Sequence, residues 1–254
     1  MKLKLGRTPR TFDPRIAKLS MMPHSAAAPP VAVDYTPALG TSTALGMMGN
    51  DTLGDCTCAA FYHALQVWSA NATGVINTQP TKEVIKLYEW CCGYVPGDPN
   101  TDQGGNEQAV LTYLYKHGAP TTRGHQKIDA FYEIDVFNLE DVKSTIYDCG
   151  VSYIGFNVPS FVMDNGTIPG SVWDVQAGDA NIVGGHAVVL AGYDANTATV
   201  ISWGALYKMT WAFFSKYVDE SYALVSNAWI AATGKSPSGL SKAQLEAAMA
   251  ALHA

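Results

Sequence analysis

The sequence predicts an α+β protein, with a helical first half followed by an antiparallel β-sheet or barrel. Apolar residues recur at helical spacing between residues 46 and 118, and after residue 150 they form short, β-rich runs bounded by glycine. Of the 254 residues, 48% are hydrophobic and 15% are charged, which is enough apolar material for a core. This composition excludes a protein that is mainly disordered.

Helix-start and helix-stop residues mark the helices of the first 150 residues. Gly118 and Pro120 end the third helix, Asn138 is the N-cap of the fourth, and Gly150 stops the fourth. The predicted helices cover residues 56–71, 81–92, 106–117 and 139–148.

The β-rich runs that follow are expected to form the strands of one sheet or barrel. They cover residues 151–158, 187–193, 199–203, 208–213 and 222–226. Ser241 then caps a last amphipathic helix, which we expect to pack on the body because its polar face is not basic. The apolar face of this helix consists of Leu245, Met249 and Leu252.

Charge is divided unevenly along the chain. The net charge is −6, but the first eighteen residues hold six basic residues and one acidic residue, so they carry +5 and the rest carries −11. An acidic body argues against a nucleic-acid groove, and the basic segment alone predicts at most a docking contact with an acidic partner, a nucleic acid or an anionic surface. Because residues 1–44 show no helical or strand periodicity, we expect an extended arm that lies on the body or on a neighbouring subunit.

Cysteine usage predicts a reducing compartment. The 5 cysteines are an odd number, at spacings that match neither a disulfide framework nor a paired zinc site. The chain also lacks a run of apolar residues long enough for a membrane span, and its N-terminus lacks the apolar run of a signal peptide. These features predict a soluble, cytoplasmic protein with no cofactor, no resident metal and no membrane partner.

Cys56 and His186 are the candidate nucleophile and base. Cys56 opens the first predicted helix, where unpaired N–H groups and the helix dipole lower a thiol pKa, and Gly54 lets the chain turn sharply before it. His186 begins an apolar strand, and Trp203 could cover it and exclude water from a thiolate–imidazolium pair. The alternative for each residue is a purely structural role in the core.

These motifs follow one another as they do in the papain-like cysteine peptidases, which the chain resembles over roughly residues 45–220. Residues 50–61 are similar to that family's nucleophile segment, residues 102–118 to its double-glycine loop and helix, and residues 185–193 to its histidine strand. The resemblance implies a helical left half and an antiparallel right half with the active-site cleft between them. We therefore divide the chain into a helical half at 45–125 and a β-rich half at 126–226. An arm at 1–44 and a C-terminal tail and helix at 227–254 flank these halves and lie outside the resemblance.

The resemblance also implies a role for each site residue. Cys56 would be the nucleophile and His186 the base and acid, while Asn50 and the Cys56 backbone N–H would form the oxyanion hole. The double glycine, Gly104 and Gly105, would bind an extended substrate backbone, and Trp203 would cover His186.

Three positions depart from the family pattern. The asparagine that orients the catalytic histidine falls on Ile201, which has no polar group. Ser202 is a possible orienter, although alternation along the strand predicts that its side chain points to the opposite face. Asn50 replaces the family's longer glutamine, and Thr57 replaces the bulky aromatic residue that usually follows the nucleophile.

Two functions of different classes remain open from the sequence. One is a thiol hydrolase that cleaves a peptide or isopeptide bond of a peptide or protein substrate through a Cys56 acyl-enzyme. The other is a catalytically weak or inactive papain-like fold that serves as a binding or structural protein in a larger assembly, which Ile201 and the long arm favour. A metal site formed by Cys56, Cys58 and His63 is disfavoured because the spacing matches no common site.

Overall fold

The computed structural model describes residues 3–21, 28–40, 45–178, 181–241 and 243–244. In this part of the chain, helices of the first half pack on a broad and mostly antiparallel sheet formed largely by the second half. The predicted α+β fold class is therefore confirmed. Within the same described residues, none of the helices combines the length and apolar character needed to cross a bilayer.

The predicted helices of the first half are confirmed to within two residues at each end. Glycines in the left-handed conformation terminate several of them; Gly150, for example, has a φ of 79° and ends the fourth helix. The helices are α1 (Cys56–Thr73), α2 (Thr81–Cys92), α3 (Glu107–Lys116) and α4 (Leu139–Cys149).

The main sheet has the strand order β4-β10-β5-β7-β8-β9-β6, and β1 pairs with β7 beside this path. All of these pairings are antiparallel except that of β6 with β9, and β2 and β3 form a separate hairpin. The strands are β1 (Val33–Asp34), β2 (Ala119–Thr121), β3 (Gly124–Gln126), β4 (Ile128–Glu133), β5 (Ser152–Pro159), β6 (Val172–Trp173), β7 (Ile182–Tyr193), β8 (Thr197–Ser202), β9 (Ala205–Thr210) and β10 (Val218–Ser226). Short helices α5 (Ser160–Asp164), α6 (Trp211–Tyr217) and α7 (Asn227–Thr233) connect or follow them.

The strand predicted over residues 208–213 is confirmed only over residues 208–210, which belong to β9. Its second part is the start of α6, because the Thr210 hydroxyl accepts a hydrogen bond from the Phe213 N–H at 3.1 Å and caps a helix there. Phe213 and Phe214 are fully buried in this helix, so tertiary packing overrides their preference for strands.

The predicted C-terminal helix lies mostly outside the described residues. Ser241 and Gln244 exchange hydrogen bonds, with the Ser241 N–H donating to Gln244 Oε1 and the Gln244 N–H donating to Ser241 Oγ. This reciprocal pattern is that of a capping box, as expected for a helix start. Leu245, Met249 and Leu252 are outside the described part.

Strand β7 separates two hydrophobic cores and is buried on both faces over most of its length. Val189 belongs to the core between the sheet and α1, whereas Val188 and Leu190 belong to the core on the other side. The alternation of strand side chains explains this division. The sheet is therefore the middle layer of the molecule, and α1 packs directly on its central strand.

The described residues of the arm lie on the body of the same chain. Arg7 forms a parallel bridge with Gly105, Lys18 forms another with Glu133, and β1 pairs with the end of β7. Along the chain, the bridges of the arm are therefore first to Gly105, then to Glu133 at the end of β4, and last to the end of β7.

Candidate active site

The start of α1 and the middle strands of the sheet bring the predicted site residues together. They surround a cavity of about 10 Å³, roughly the space that a single water molecule requires. The predicted residues that line this cavity are Cys56, His186, Asn50, Trp203, Ser202 and Ile201. Gly104 and Gly105 lie outside it, beside the arm.

The His186 ring is held by two neighbours. Its Nε2 atom lies 2.7 Å from Ser202 Oγ, and the ring stacks on the Trp203 indole with centroids 4.3 Å apart. Trp203 has a φ of 44°, which is uncommon for a residue other than glycine and turns the chain at the end of β8. The other ring nitrogen, Nδ1, is buried and has no hydrogen-bond partner among the described residues.

The expectation that Ser202 points away from His186 is wrong, and the sheet register explains why. Val189 of β7 pairs with Ile201 of β8, so Ile201 shares the face of Val189 and is buried toward α1. The next residue, Ser202, then shares the face of Val188 and of His186. Because side chains alternate along β8, the Ser202 side chain lies on the same face as His186, and the Ile201 side chain lies on the opposite face.

Burial makes the Cys56–His186 pair neutral. Burial raises the pKa of the Cys56 thiol to about 12, and the hydrogen bonds that the Ala187 and Gly6 backbones provide only partly oppose this. Burial also lowers the pKa of His186 to about 3, helped by the positive charge of Arg7 and by His63. No hydrogen bond joins the two side chains among the described contacts.

The expected lowering of the thiol pKa is therefore not found. Cys56 is indeed the first residue of α1, but a helix N-terminus stabilises an anion by only about 0.3–1 kcal/mol at an exposed site. Cys56 is 1% exposed, and the cost of burying a thiolate exceeds that stabilisation.

Asn50 and Trp203 direct their N–H groups at the arm. Asn50 Nδ2 donates to the Leu53 carbonyl at 3.1 Å and to the Lys4 carbonyl at 3.4 Å. Trp203 Nε1 donates to the same Lys4 carbonyl at 3.4 Å. The arm thus presents a backbone carbonyl to the amide that the resemblance assigns to the oxyanion hole.

The double glycine binds an extended backbone, and that backbone is the arm. The Gly105 N–H donates to the Gly6 carbonyl at 2.8 Å, and the Thr8 N–H donates to the Gly105 carbonyl at 3.0 Å. A Cβ atom on Gly104 would lie 2.0 Å from the Gly6 carbonyl oxygen, so only glycine allows this approach. On the opposite wall, the N–H groups of Gly6 and Arg7 both donate to the Gly185 carbonyl.

The acidic residues around Arg7 were not among the residues predicted from the sequence. Asp219 and Glu220 contact its guanidinium, and the buried Glu107 adds to the negative charge there. One signal was present, because Asp219 and Glu220 lie side by side near the start of β10, a strand that is otherwise without charge.

The cysteines group differently from the metal site considered in the sequence. Cys58 on α1 and Cys91 and Cys92 on α2 place their sulfur atoms within 4.8 Å of one another. Three thiols at this separation could hold a thiophilic metal ion. Cys56 and His63 are not part of this group, and Cys91 and Cys92 are half-buried.

Comparison with known proteins identifies the architecture. No protein-family model and no curated protein matches the sequence. Among solved structures, xylellain, a cysteine protease from Xylella fastidiosa, is 18% identical with a TM-score of 0.67, and the match covers 89% of this chain and 97% of xylellain. ProCathepsin B S9 from Trypanosoma congolense is 11% identical with a TM-score of 0.62, over 88% of this chain and 86% of the other.

A third similar structure is the digestive procathepsin L 3 of Tenebrio molitor, 10% identical with a TM-score of 0.58 over 88% of this chain and 75% of the other. Identities this low establish a common fold and leave the activity to be argued from the site. The structural match extends over nearly the whole chain and confirms the resemblance found in the motifs: the chain has the fold of the papain-like cysteine proteases.

Proposed function

We propose that the protein is a thiol hydrolase that cleaves a peptide bond through a Cys56 acyl-enzyme, and that the structure is its closed form. The observation that supports this best is the convergence of Cys56, His186 and Ser202 on one small cavity, with His186 Nδ1 left unpaired. A buried polar atom without a partner is costly, and a catalytic role accounts for it.

The proposed chemistry uses both nitrogens of His186. With Nε2–H donating to Ser202 Oγ, Nδ1 carries a lone pair and accepts the proton of the Cys56 thiol. The thiolate attacks the substrate carbonyl carbon, and Asn50 Nδ2 with the Cys56 N–H donates to the oxyanion. His186 then returns the proton to the leaving amine. A water molecule, deprotonated by His186, hydrolyses the thioester and regenerates the thiol.

The arm blocks this chemistry in two ways. It occupies the groove between Gly105 and Gly185 that a substrate backbone would need, and its Lys4 carbonyl takes the donors of Asn50 and Trp203. It also excludes water, which keeps the thiol and the imidazole neutral. Two of the similar structures are described as procathepsins, which supports the assignment of the arm as a blocking segment.

A binding or structural role is the second candidate, and Ile201 favours it. This residue is fully buried and places no polar group near His186, where the family pattern has an asparagine. In this case the arm is a permanent part of the fold, and its removal from the cleft releases no activity.

The test is to displace the arm in the full chain by the substitution Gly6→Val. A Cβ atom on Gly6 would lie 1.9 Å from the Gly54 carbonyl oxygen, so a side chain there cannot be accommodated in the groove. Cys56 labelling by iodoacetamide is then measured by mass spectrometry between pH 5 and pH 9. In the unaltered chain we expect labelling slower than that of free cysteine, because a thiol with a pKa of about 12 stays protonated over this range.

In the Gly6→Val chain we expect the labelling rate to rise about tenfold or more and its midpoint to move to lower pH. His186→Ala in the same chain should abolish the gain. Thr8→Val is the matched control, since Thr8 has only backbone hydrogen bonds to the groove and should leave labelling slow. Hydrolysis of a peptide mixture by the Gly6→Val chain supports the proposal. An accessible Cys56 with no hydrolysis would contradict it and favour the structural role.

A further inference from the structure

Arg7 is the arm residue whose charged side chain is completely enclosed by the body. Its side chain is 1% exposed, whereas those of Lys4, Arg10, Arg15 and Lys18 are at least 38% exposed. Burying a guanidinium is costly unless carboxylates surround it. The surroundings of Arg7 therefore form a pocket built for a cation.

Three carboxyl groups border this pocket; Asp219 and Glu220 pair with Arg7, whereas burial and the neighbouring Glu220 raise the pKa of Glu107 well above its usual value. The Arg7 guanidinium contacts Glu220, and Nη2 lies 2.8 Å from Asp219 Oδ1 and 3.4 Å from Asn157 Oδ1. Glu107, on α3, is fully buried, and neither of its carboxylate oxygens has a hydrogen-bond partner in the described residues. Burial alone would lower the pKa of Arg7, but the three carboxylates outweigh burial and raise it.

The backbone leaves room for one long side chain. A Cβ atom on Gly155 would lie 2.6 Å from Arg7 Cδ and 2.2 Å from Glu107 Oε1, so a larger residue there would fill the pocket. Gly155 of β5 pairs with Glu220 of β10. The space left by the absent side chain of Gly155 therefore lies beside Glu220.

The pocket is adjacent to the catalytic pair. The Arg7 N–H donates to the Gly185 carbonyl, one residue before His186, and the preceding arm residue, Gly6, provides a backbone hydrogen bond to Cys56. All of the acidic groups belong to the body, so they stay in place when the arm leaves. Burial already raises the pKa of Glu107 and of Glu220, and the charge of Arg7 opposes this, so without a cation their ionised forms would be unfavourable.

We propose that Glu107, Asp219 and Glu220 form a specificity pocket that binds an arginine side chain of the peptide substrate next to the bond that is cleaved, and that Arg7 occupies it in the closed form. This inference rests on the proposed function for its catalytic part, while the binding of a guanidinium does not. Arginine is favoured over lysine because one planar guanidinium reaches two carboxylates and the Asn157 amide at once.

The binding test uses the full chain with Arg7→Ala, which empties the pocket. Propylguanidinium is added, with propylurea as the neutral analogue of similar shape, and thermal unfolding is followed. We expect a saturable rise in Tm of about 2–4 °C with propylguanidinium alone. The unaltered chain should show no such rise, because Arg7 occupies its pocket, and Arg7→Ala combined with Glu220→Gln should lose it. Equal responses to the two compounds would overturn the proposal.

The specificity test uses the Gly6→Val chain and peptides that differ in a single arginine or leucine. We expect kcat/KM to be about 10- to 100-fold higher for the arginine peptide, as for a charged hydrogen-bonded pair. Asp219→Asn, at a partly exposed position, should reduce this preference, and the distant, exposed Glu140→Gln should not.

The outcomes separate the two proposals. Hydrolysis without preference for arginine would overturn the pocket and leave the hydrolase function standing. Saturable binding of propylguanidinium without any hydrolysis would support the pocket and contradict the hydrolase function.

Discussion

At the scale of single residues, the His186 ring contacts a hydroxyl, that of Ser202, where the pattern of the papain-like family has an asparagine carboxamide. The Ser202 Oγ atom is small and lies at the end of a strand, yet it reaches Nε2 at 2.7 Å because the register places it on the same face as His186. Sequence reasoning named Ser202 as a candidate but assigned it to the wrong face, because a one-residue difference in register inverts the faces of a strand.

Removing the Ser202 hydroxyl tests whether it positions the histidine. In the Gly6→Val chain, we expect Ser202→Ala to lower kcat about 10- to 100-fold with little change in KM, since it leaves a buried ring nitrogen unpaired. Ser202→Thr keeps the hydroxyl and should retain most of the activity. A purely structural role would instead leave kcat unchanged and appear only as reduced stability.

The Cys56 thiol shows why local context is a poor guide to ionisation. The position at the start of α1 was predicted correctly, and the helix-dipole argument alone favours a thiolate. The pKa is nevertheless raised to about 12, because burial removes water from the thiol, and Gly6, 50 residues earlier in the chain, is among the groups that lie beside it.

At the scale of secondary structure elements, polar caps define the starts of α3 and α4. Asn106 Oδ1 accepts a hydrogen bond from the Ala109 N–H at 3.0 Å, and Asn138 caps α4 in a similar way through the Glu140 N–H. Such short-range signals need no tertiary information, which is why the helix bounds could be predicted closely. The strands β4 and β6 lack signals of this kind and were not predicted. Helix α7 was not predicted either, although the Ser226 hydroxyl caps its start by accepting a hydrogen bond from the Trp229 N–H at 3.1 Å.

The two caps differ in one respect that can be measured. Asn106 Nδ2 also donates to Thr11 Oγ1 at 3.2 Å, so this cap contacts the arm, whereas Asn138 has only its cap contact. We expect Asn106→Ala and Asn138→Ala each to lower the free energy of unfolding by about 1 kcal/mol. Only Asn106→Ala should also speed iodoacetamide labelling of Cys56. Equal labelling of the two variants would show that this contact does not hold the arm.

At the scale of the whole molecule, the basic residues of the arm form ion pairs with acidic residues of the body. Lys4 lies 3.9 Å from Asp102, and Arg10 and Lys18 both pair with Glu133. The acidic groups that these basic residues contact belong to the same chain. The three basic side chains are 38–49% exposed, so each pair stabilises the closed form by only about 0–1 kcal/mol.

This exposure predicts a dependence on salt. Raising KCl from about 0.05 M to 1 M shortens the Debye length to about 3 Å and should weaken the exposed pairs, while the buried Arg7 contacts persist. We expect the rate of Cys56 labelling in the unaltered chain to increase about fivefold, in line with the loss of about 1 kcal/mol. The Gly6→Val chain is the control and should show no increase. A salt-independent rate in the unaltered chain would mean that the exposed pairs do not hold the arm.

The sequence by itself determined the helices, most of the sheet strands, the papain-like order of motifs and the identity of the nucleophile and base candidates. These follow from periodicity, caps and spacing, which are properties of short segments. Only the tertiary structure decided that Ser202 rather than Ile201 faces His186, that the arm fills the cleft, and that three carboxylates meet around Arg7. Each of these depends on strand register or on contacts between residues up to 213 positions apart, and no local pattern encodes them.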